Sequence, residues 1–443
     1  MSATPSGAPR TLEIRPVQQP VDANVILPGS KSYTNRALPL AALAHGPSVV
    51  REALFSDDTR YMAAALRALG IEVREDESTR TFWVSGAGGA IPASAAELFV
   101  GNSGTTARFL TAMLALGHGD YLVDGLEPMR RRPIEPLLDA LRQLGVDARS
   151  THGTGCPPLR VRSAGFAGGS ARLSGTESSQ YLSALLMVGP LSRNGLEIEI
   201  VGDLVSKPYV QLTFASMAAF CATGSHENFR RFQVPGGQRY VGTDYVVEPD
   251  ASAASYFFAL AAATGGRIRV DHLGAGSRQG DLGFVDVLEQ MGCTVARASE
   301  YTEVWGPHRL RGVEVDMQGI SDTAQTLAAI APLADGPTVI RGVAHIRHKE
   351  TDRIAALTAE LLRLGIDVEE LPDGLIVRPG PIRPATVQTY DDHRMAMSFA
   401  VLGCAAPGVT IANPDCVAKT FPDFFASLAR ATRPDSPAAE PAR

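Results

Sequence analysis

No stretch of this 443-residue chain approaches the ~18 uninterrupted apolar residues of a membrane span, so no membrane association is expected. The opening residues, MSATPSGAPR, have no apolar core of the kind a secretion signal carries. Cysteine is sparse. Five residues (Cys156, Cys221, Cys293, Cys404, Cys416) form no C-x-x-C pair and are odd in number, which predicts reduced, mostly buried thiols in a cytoplasmic protein. There is no H-E-x-x-H and no metal-spaced Cys/His set, so no metal site is expected. A G-x-x-x-x-G-K-[ST] loop is missing, and GAGSRQG (274–280) has one residue too many for G-x-G-x-x-G, so no nucleotide cofactor is expected either. Excess positive charge is also lacking: the formal net charge is −6, which disfavours nucleic-acid partners. An anionic ligand would have to be met by a local gathering of cations.

What is present is the composition of a globular protein, 45% hydrophobic and 20% charged, in a chain long enough for about two domains. The Ala/Pro/Ser-rich ends, 1–10 and 432–443, are expected to fray. Between them one pattern recurs: a polar motif, an Ala/Leu-rich helix, a Gly turn, a short β-branched strand and a second helix. Its copies start at Arg36, Arg108, Gln180, Ala251, Asp322 and Arg394, with spacings of 72, 72, 71, 71 and 72. A period that regular predicts six copies of one α/β unit, each leaning on neighbours to bury its apolar faces. The expected architecture is α/β, with two similar domains of three units. Repeats 1–3 fill an inserted domain, 30–247. Repeats 4–6 fill a domain of 1–29 and 248–443, with a cleft between the two. The N-terminal strand LEIRPV is expected to pair within the second of these.

Polar residues cluster where the units begin. LPGSKSYTNR (27–36) presents Lys31 and Ser32 at a fresh helix N-terminus, with Arg36 four residues on and therefore on the same face as Ser32. GNSGTTAR (101–108) is a Gly-rich turn entering a helix, where Asn102, Gly104 and neighbouring backbone N–H groups suit an anion. RRRPI (130–134) places Arg132 and two more arginines before a helix, against its dipole unless an anion relieves them. Ser178, Ser179 and Gln180 head the next unit, and Ser206, Lys207 and Tyr209 repeat the theme. In HKETDR (348–353), Lys349, Glu350 and Arg353 are expected to begin a helix, with a solvated ion-pair face as the bland reading. Asp322 has an N-cap as its bland role. Arg394 follows His393 in DDHRMAM, and Lys419 lies in AKTFPDFF. Lys31, Arg36, Arg132, Lys349, Arg353, Arg394 and Lys419 could supply seven cations to a surface shared by these helix starts, which suits a ligand with several negative charges.

Taken together, LPGSKSYTNR, GNSGTTAR, RRRPI, SSQYLSALLM, SKPY, KETDR, DDHRMAM and AKTFPDFF resemble, in order, the signature blocks of the 5-enolpyruvylshikimate-3-phosphate (EPSP) synthase family. The resemblance implies an inside-out α/β barrel fold and transfer of the enolpyruvyl group of phosphoenolpyruvate to shikimate 3-phosphate. Phosphate is released, no cofactor is used, and the pathway is that of aromatic amino acid biosynthesis. It implies shikimate 3-phosphate contacts at Lys31, Ser32, Arg36, Ser178, Ser179, Ser206, Tyr209, Asp322, His345 and Lys349. Phosphoenolpyruvate contacts are implied at Lys31, Asn102, Gly104, Arg132, Gln180, Arg353, Arg394 and Lys419, and catalytic roles at Asp322, Glu350 and Lys31. Some members have Asn where this chain has His345. The resemblance also implies a cytoplasmic monomer that closes on shikimate 3-phosphate, with glyphosate as a candidate competitive inhibitor. The alternatives are an enolpyruvyl transferase acting on UDP-N-acetylglucosamine, whose arginine loop usually carries a Cys that 129–136 lacks, or a non-catalytic anion-binding protein.

Overall fold

The 72-residue period takes physical form as one small sheet and two helices per repeat. In a computed structural model, which describes residues 10–433, the chain builds six sheets, five of four strands and one of three. The tails expected to fray fall almost wholly outside the described residues. Within each four-stranded sheet the order is the same: the first strand runs parallel to the second, and two antiparallel strands follow. In repeat two, Ala95–Phe99 lies parallel to His118–Asp124 (Leu98 opposite Val123), which pairs antiparallel with Leu159–Ala164, itself flanked by Asp147–Ser150. Repeat three repeats the arrangement with Gly169–Ser174 beside Leu196–Val201.

Two sheets borrow their first strand from a distant part of the chain. Repeat one takes Asp244–Val246, laid parallel to His45–Arg51, and repeat four takes Asp22–Asn24, laid parallel to Arg267–Asp271. Repeat six is closed by Thr11–Glu13, paired antiparallel with Val409–Ala412, as expected of the N-terminal strand. Two compact units result. One takes its described residues from Met1–Leu27, Ser252–Gly276 and Asp281–Arg443. The other comprises Pro28–Ala251 and Ser277–Gly280.

The two helices of a repeat differ in kind, and the difference decides where charge can sit. The lead helices, Lys31–Leu43, Gly104–Met113, Ser179–Val188, Ala251–Thr264, Ala324–Ile330 and His393–Ala405, are Ala/Leu-rich and buried nearly all round. A helix with no solvent face meets a ligand most readily at its ends, and polar groups within it need partners from neighbouring elements. Three of them start on a serine cap: Ser30 accepts from the Tyr33 N–H, Ser103 from Thr106 and Ser178 from Gln180. The second helices, such as Asp57–Ala68, Glu135–Gln143 and Arg353–Arg363, are amphipathic and cover the lead helices from outside.

Among the described residues, no helix is long and apolar enough to cross a membrane. All five thiols are unpaired, but only Cys293 and Cys404 are buried, which corrects the expectation of mostly buried cysteines. Cys221 is exposed because it occupies a left-handed turn (φ 68°) that ends the helix Lys207–Ala219.

The lead helices should carry most of the stability of each unit. Leu40 is 0% exposed, so Leu40→Ala is expected to cost about 2–5 kcal/mol in urea unfolding. Exposed Val201→Ala should stay within about 0.5 kcal/mol.

Candidate active site

In the unit comprising Pro28–Ala251, the polar heads of three lead helices converge. Gly104 opens its helix where two guanidinium groups meet: a Cβ on this residue would clash with Arg108 Nη1 and Arg132 Nη2. Only glycine lets both cations come this close to the helix N-terminus. Arg132 Nη1 donates to the Asn102 carbonyl (3.2 Å), and Gln180 Nε2 donates to Thr105 Oγ1 (3.2 Å). Arg108 sits over the Tyr181 ring at 5.4 Å and donates to the Pro133 carbonyl. The arginine loop divides as the dipole argument requires. Arg130 and Arg131 turn outward to Asp124 and Glu127, while Arg132 alone is buried.

Lys31 begins its helix with the backbone N–H held by Asp250 Oδ2 (2.8 Å) and its ammonium 3.7 Å from the buried Asp58 carboxylate. The Asp58 carbonyl in turn accepts from Thr106, tying the Lys31 and Gly104 helix starts together. Arg36 is buried, with Nε on Thr213 (2.8 Å), Nη1 on the Ser32 carbonyl (2.9 Å) and Nη2 on the Tyr209 carbonyl (3.1 Å). Burial lowers its pKa to about 10, against the opposing pull of Tyr209 and Tyr33. Ser179 is buried beside the cap Ser178, and Ser206 is held left-handed (φ 53°) at the start of Lys207–Ala219.

The unit comprising Ser252–Gly276 and Asp281–Arg443 gathers a denser charge cluster. Asp322 faces three cations: Arg394 Nη2 at 2.7 Å, and Lys349 Nζ and Arg353 Nη1 each at 3.2 Å. Glu350 accepts from Arg353 Nη2 (2.7 Å) and lies 3.8 Å from Lys419 Nζ. Arg353 Nε reaches Asp392 (2.7 Å), whose other oxygen caps the Arg394 N–H (2.9 Å). Arg394 also donates to the Tyr256 hydroxyl (3.2 Å). Burial alone would pull the Arg353 pKa down; Asp392, Glu350 and Asp322 reverse this and hold it above its ordinary value. For Lys349 burial prevails, and its pKa falls despite Asp322.

One expected helix boundary changes here, and the bland readings of Lys349, Glu350 and Asp322 fall away. Lys349 and Glu350 do not begin a helix: the helix starts at Arg353, capped by Asp352, so both residues lie in the preceding loop. They do not form a solvated pair, because Lys349 turns to the largely covered Asp322 and Glu350 to the buried Arg353. Asp322 is no N-cap, since it falls within the 3-10 segment Gln318–Thr323 before the helix Ala324–Ile330. Asp58 lies in no quoted motif and escaped sequence reasoning. Arg108 and Asp392 lie inside GNSGTTAR and DDHRMAM, and Asp250 directly precedes the start of the fourth copy, but their partners lie far along the chain and could not be read from the motifs.

His345 Nε2 lies 2.9 Å from Ser321 Oγ, and burial, helped by Lys349 and Arg353, lowers its pKa from 6.5 to about 3. The imidazole is therefore neutral at physiological pH. Among the described residues no group of acidic, His and Cys side chains could hold a metal ion.

The EPSP synthase (3-phosphoshikimate 1-carboxyvinyltransferase) family model matches residues 16–428. The chain belongs to the EPSP synthase family. Within that family, the 3-phosphoshikimate 1-carboxyvinyltransferase of Nostoc punctiforme is 52% identical over 415 residues, 94% of this chain and 97% of the relative. The chloroplastic enzyme of Brassica napus is 46% identical over 439 residues, 95% of this chain and 85% of the relative. The solved EPSP synthase of Acinetobacter baumannii superimposes with a TM-score of 0.80 at 27% identity, covering 95% of this chain and 98% of that one. The fold is therefore the family's two-domain, inside-out α/β architecture.

A His whose folded pKa is depressed supports stability above its unfolded pKa and loses that support as pH falls. Between pH 6.5 and about 3 the unfolded chain binds a proton at His345 that the folded chain does not. Wild-type unfolding followed across this window should gain up to about tenfold in equilibrium constant per pH unit from this residue. His345→Asn should remove that slope while leaving the slope above pH 7 unchanged.

Proposed function

We infer that this chain transfers the enolpyruvyl group of phosphoenolpyruvate to the 5-hydroxyl of shikimate 3-phosphate and releases phosphate. One observation carries the chemical side of this reading: two carboxylates, Asp322 and Glu350, share Arg353 and are ringed by Arg394, Lys349 and Lys419. A plain anion-binding protein would need the cations but not two carboxylates among them. The UDP-N-acetylglucosamine alternative is not favoured, because the relatives carry the shikimate enzyme's name and no Cys occurs in 129–136.

In this reading Asn102, Gly104, Arg132, Gln180, Arg353, Arg394, Lys419 and Lys31 meet phosphoenolpyruvate. Ser32, Arg36, Ser178, Ser179, Ser206, Tyr209, His345, Lys349, Asp322 and Lys31 meet shikimate 3-phosphate. The substrate's anionic groups compete with Asp322 and Glu350 for the same guanidinium and ammonium donors. Binding therefore loosens both carboxylates from their ion pairs just where proton transfer is needed. Asp322 takes the 5-hydroxyl proton as the oxygen attacks C2, with Lys31 as the third catalytic group, and Glu350 serves the proton gained at C3. Each such transfer contributes about 10²–10⁴-fold. The resulting tetrahedral intermediate expels phosphate as C3 returns a proton to Glu350 and the C2–C3 double bond re-forms, and Arg132, Arg394 and Lys419 stabilise the departing charge. Glyphosate, a small anion, would draw on the same cations, and the working form is a monomer.

Phosphate release from both substrates tests the reading. Glu350→Gln should lower kcat by at least about 10²-fold while moving both KM values only a few-fold; an unchanged kcat would remove Glu350 from the mechanism. Gly104→Ala should push Arg132 and Arg108 aside and raise KM for phosphoenolpyruvate by about tenfold or more, with KM for shikimate 3-phosphate little altered.

A further inference from the structure

Tyr390 (φ 54°) and Asp391 (φ 56°) are consecutive non-glycine residues in the left-handed region. A tyrosine there brings its Cβ against the following carbonyl, and two such residues in a row persist only where their surroundings over-determine them. They directly precede Asp392, the carboxylate that caps the Arg394 helix and holds Arg353.

The turn is fastened from two sides. Glu360, 0% exposed near the far end of Arg353–Arg363, accepts from the Gln388 backbone N–H (2.9 Å), the Tyr390 hydroxyl (2.7 Å) and Arg363 Nε (2.9 Å). Opposite, Asn413 Nδ2 donates to Asp391 Oδ1 (3.2 Å). Asn413 is itself left-handed (φ 49°) and starts the 3-10 segment Pro414–Lys419. The Thr389 carbonyl accepts the Asp392 N–H (2.8 Å), closing the turn. A buried carboxylate is costly, and one set solely to stabilise the outer helix would need only Arg363. Two of the three donors to Glu360 instead come from the strained segment.

We propose that Glu360 and Tyr390 are positioning residues for phosphoenolpyruvate binding, clamping the left-handed 390–391 turn so that Asp392 fixes Arg353 and Arg394. The proposal rests on the reading of those two arginines as phosphoenolpyruvate contacts. Tyr390→Phe removes one oxygen and frees the turn to relax towards ordinary backbone. Arg353 and Arg394 then lose their common anchor; among the shikimate 3-phosphate contacts Asp322 is bonded to these arginines, whereas Ser32, Arg36, Ser178, Ser179, Ser206 and Tyr209 lie on other elements and do not move.

The test compares the full-length chain with Tyr390→Phe, Glu360→Gln and the double variant Tyr390→Phe/Asp391→Asn. The expected result for Tyr390→Phe is a KM for phosphoenolpyruvate raised about tenfold, as loss of one hydrogen bond to a carboxylate would give, with KM for shikimate 3-phosphate within about twofold. Asparagine adopts the left-handed region more readily and still offers an oxygen to Asn413, so the double variant should recover most of the loss. Equal rises in both KM values, a lowered Tm with unaltered KM values, or no recovery in the double variant would overturn the proposal. Should Glu360→Gln not fold, Tyr390→Phe carries the comparison. Hydrogen exchange at the Asp392 and Arg394 amides separates this proposal from the assigned activity. Faster exchange in Tyr390→Phe supports the clamp even if the wild type turns over neither substrate, and unchanged exchange overturns it even if the wild type is active.

Discussion

Arg353 is the group on which the charge cluster depends. Its guanidinium is almost fully buried and meets Asp392, Glu350 and Asp322 at 2.7, 2.7 and 3.2 Å, so one side chain sets the mutual positions of three carboxylates. An ion cluster out of water repays its desolvation only when geometry is tight and every donor is matched. Removing any partner would leave an uncompensated buried charge, which is why the cluster behaves as a unit. Four cations (Arg353, Lys349, Arg394, Lys419) stand against three carboxylates (Asp322, Glu350, Asp392). The imbalance favours an incoming anion without any need for a basic protein.

The fold makes such a cluster achievable by confining polarity to helix starts. Because the lead helices are buried on all sides, a charge along their length has no water and needs a partner from a neighbouring element, as Arg36 finds in Thr213 and Arg108 in the Pro133 carbonyl. At an N-terminus, free N–H groups, a cap and neighbouring repeats are all available. Arg394 and Asp322, joined at 2.7 Å, are 72 residues apart, one repeat length: each is the head of its own unit, and packing of adjacent lead helices brings the heads together. Gln180 and Thr105, 75 residues apart, repeat the relation in the other unit.

Strain and function lie side by side. Ser206, Tyr390, Asp391 and Asn413 all adopt left-handed backbone within three residues of a helix or 3-10 segment that carries a candidate site group. These turns aim helix starts in directions that ordinary loops would not supply, and the surrounding hydrogen bonds hold them there.

The sequence alone determined the period, the number of repeats, the Ala/Leu character of the lead helices and the polar residues at their heads. All of these are local or periodic properties that survive without contacts. It also carried the motifs that mark the family. Only the tertiary structure decided which heads meet. Lys31 is tied to Asp250 across 219 residues, Arg353 to Asp392 across 39, and Arg36 spends its donors on Ser32, Thr213 and Tyr209. The bland reading of Lys349 and Glu350, a solvated pair at a helix start, arises because neighbours in sequence suggest each other. Folding turned them to different partners, Asp322 and Arg353, since a charge taken out of water is stabilised by the oppositely charged group that packing delivers rather than by the one beside it in the chain.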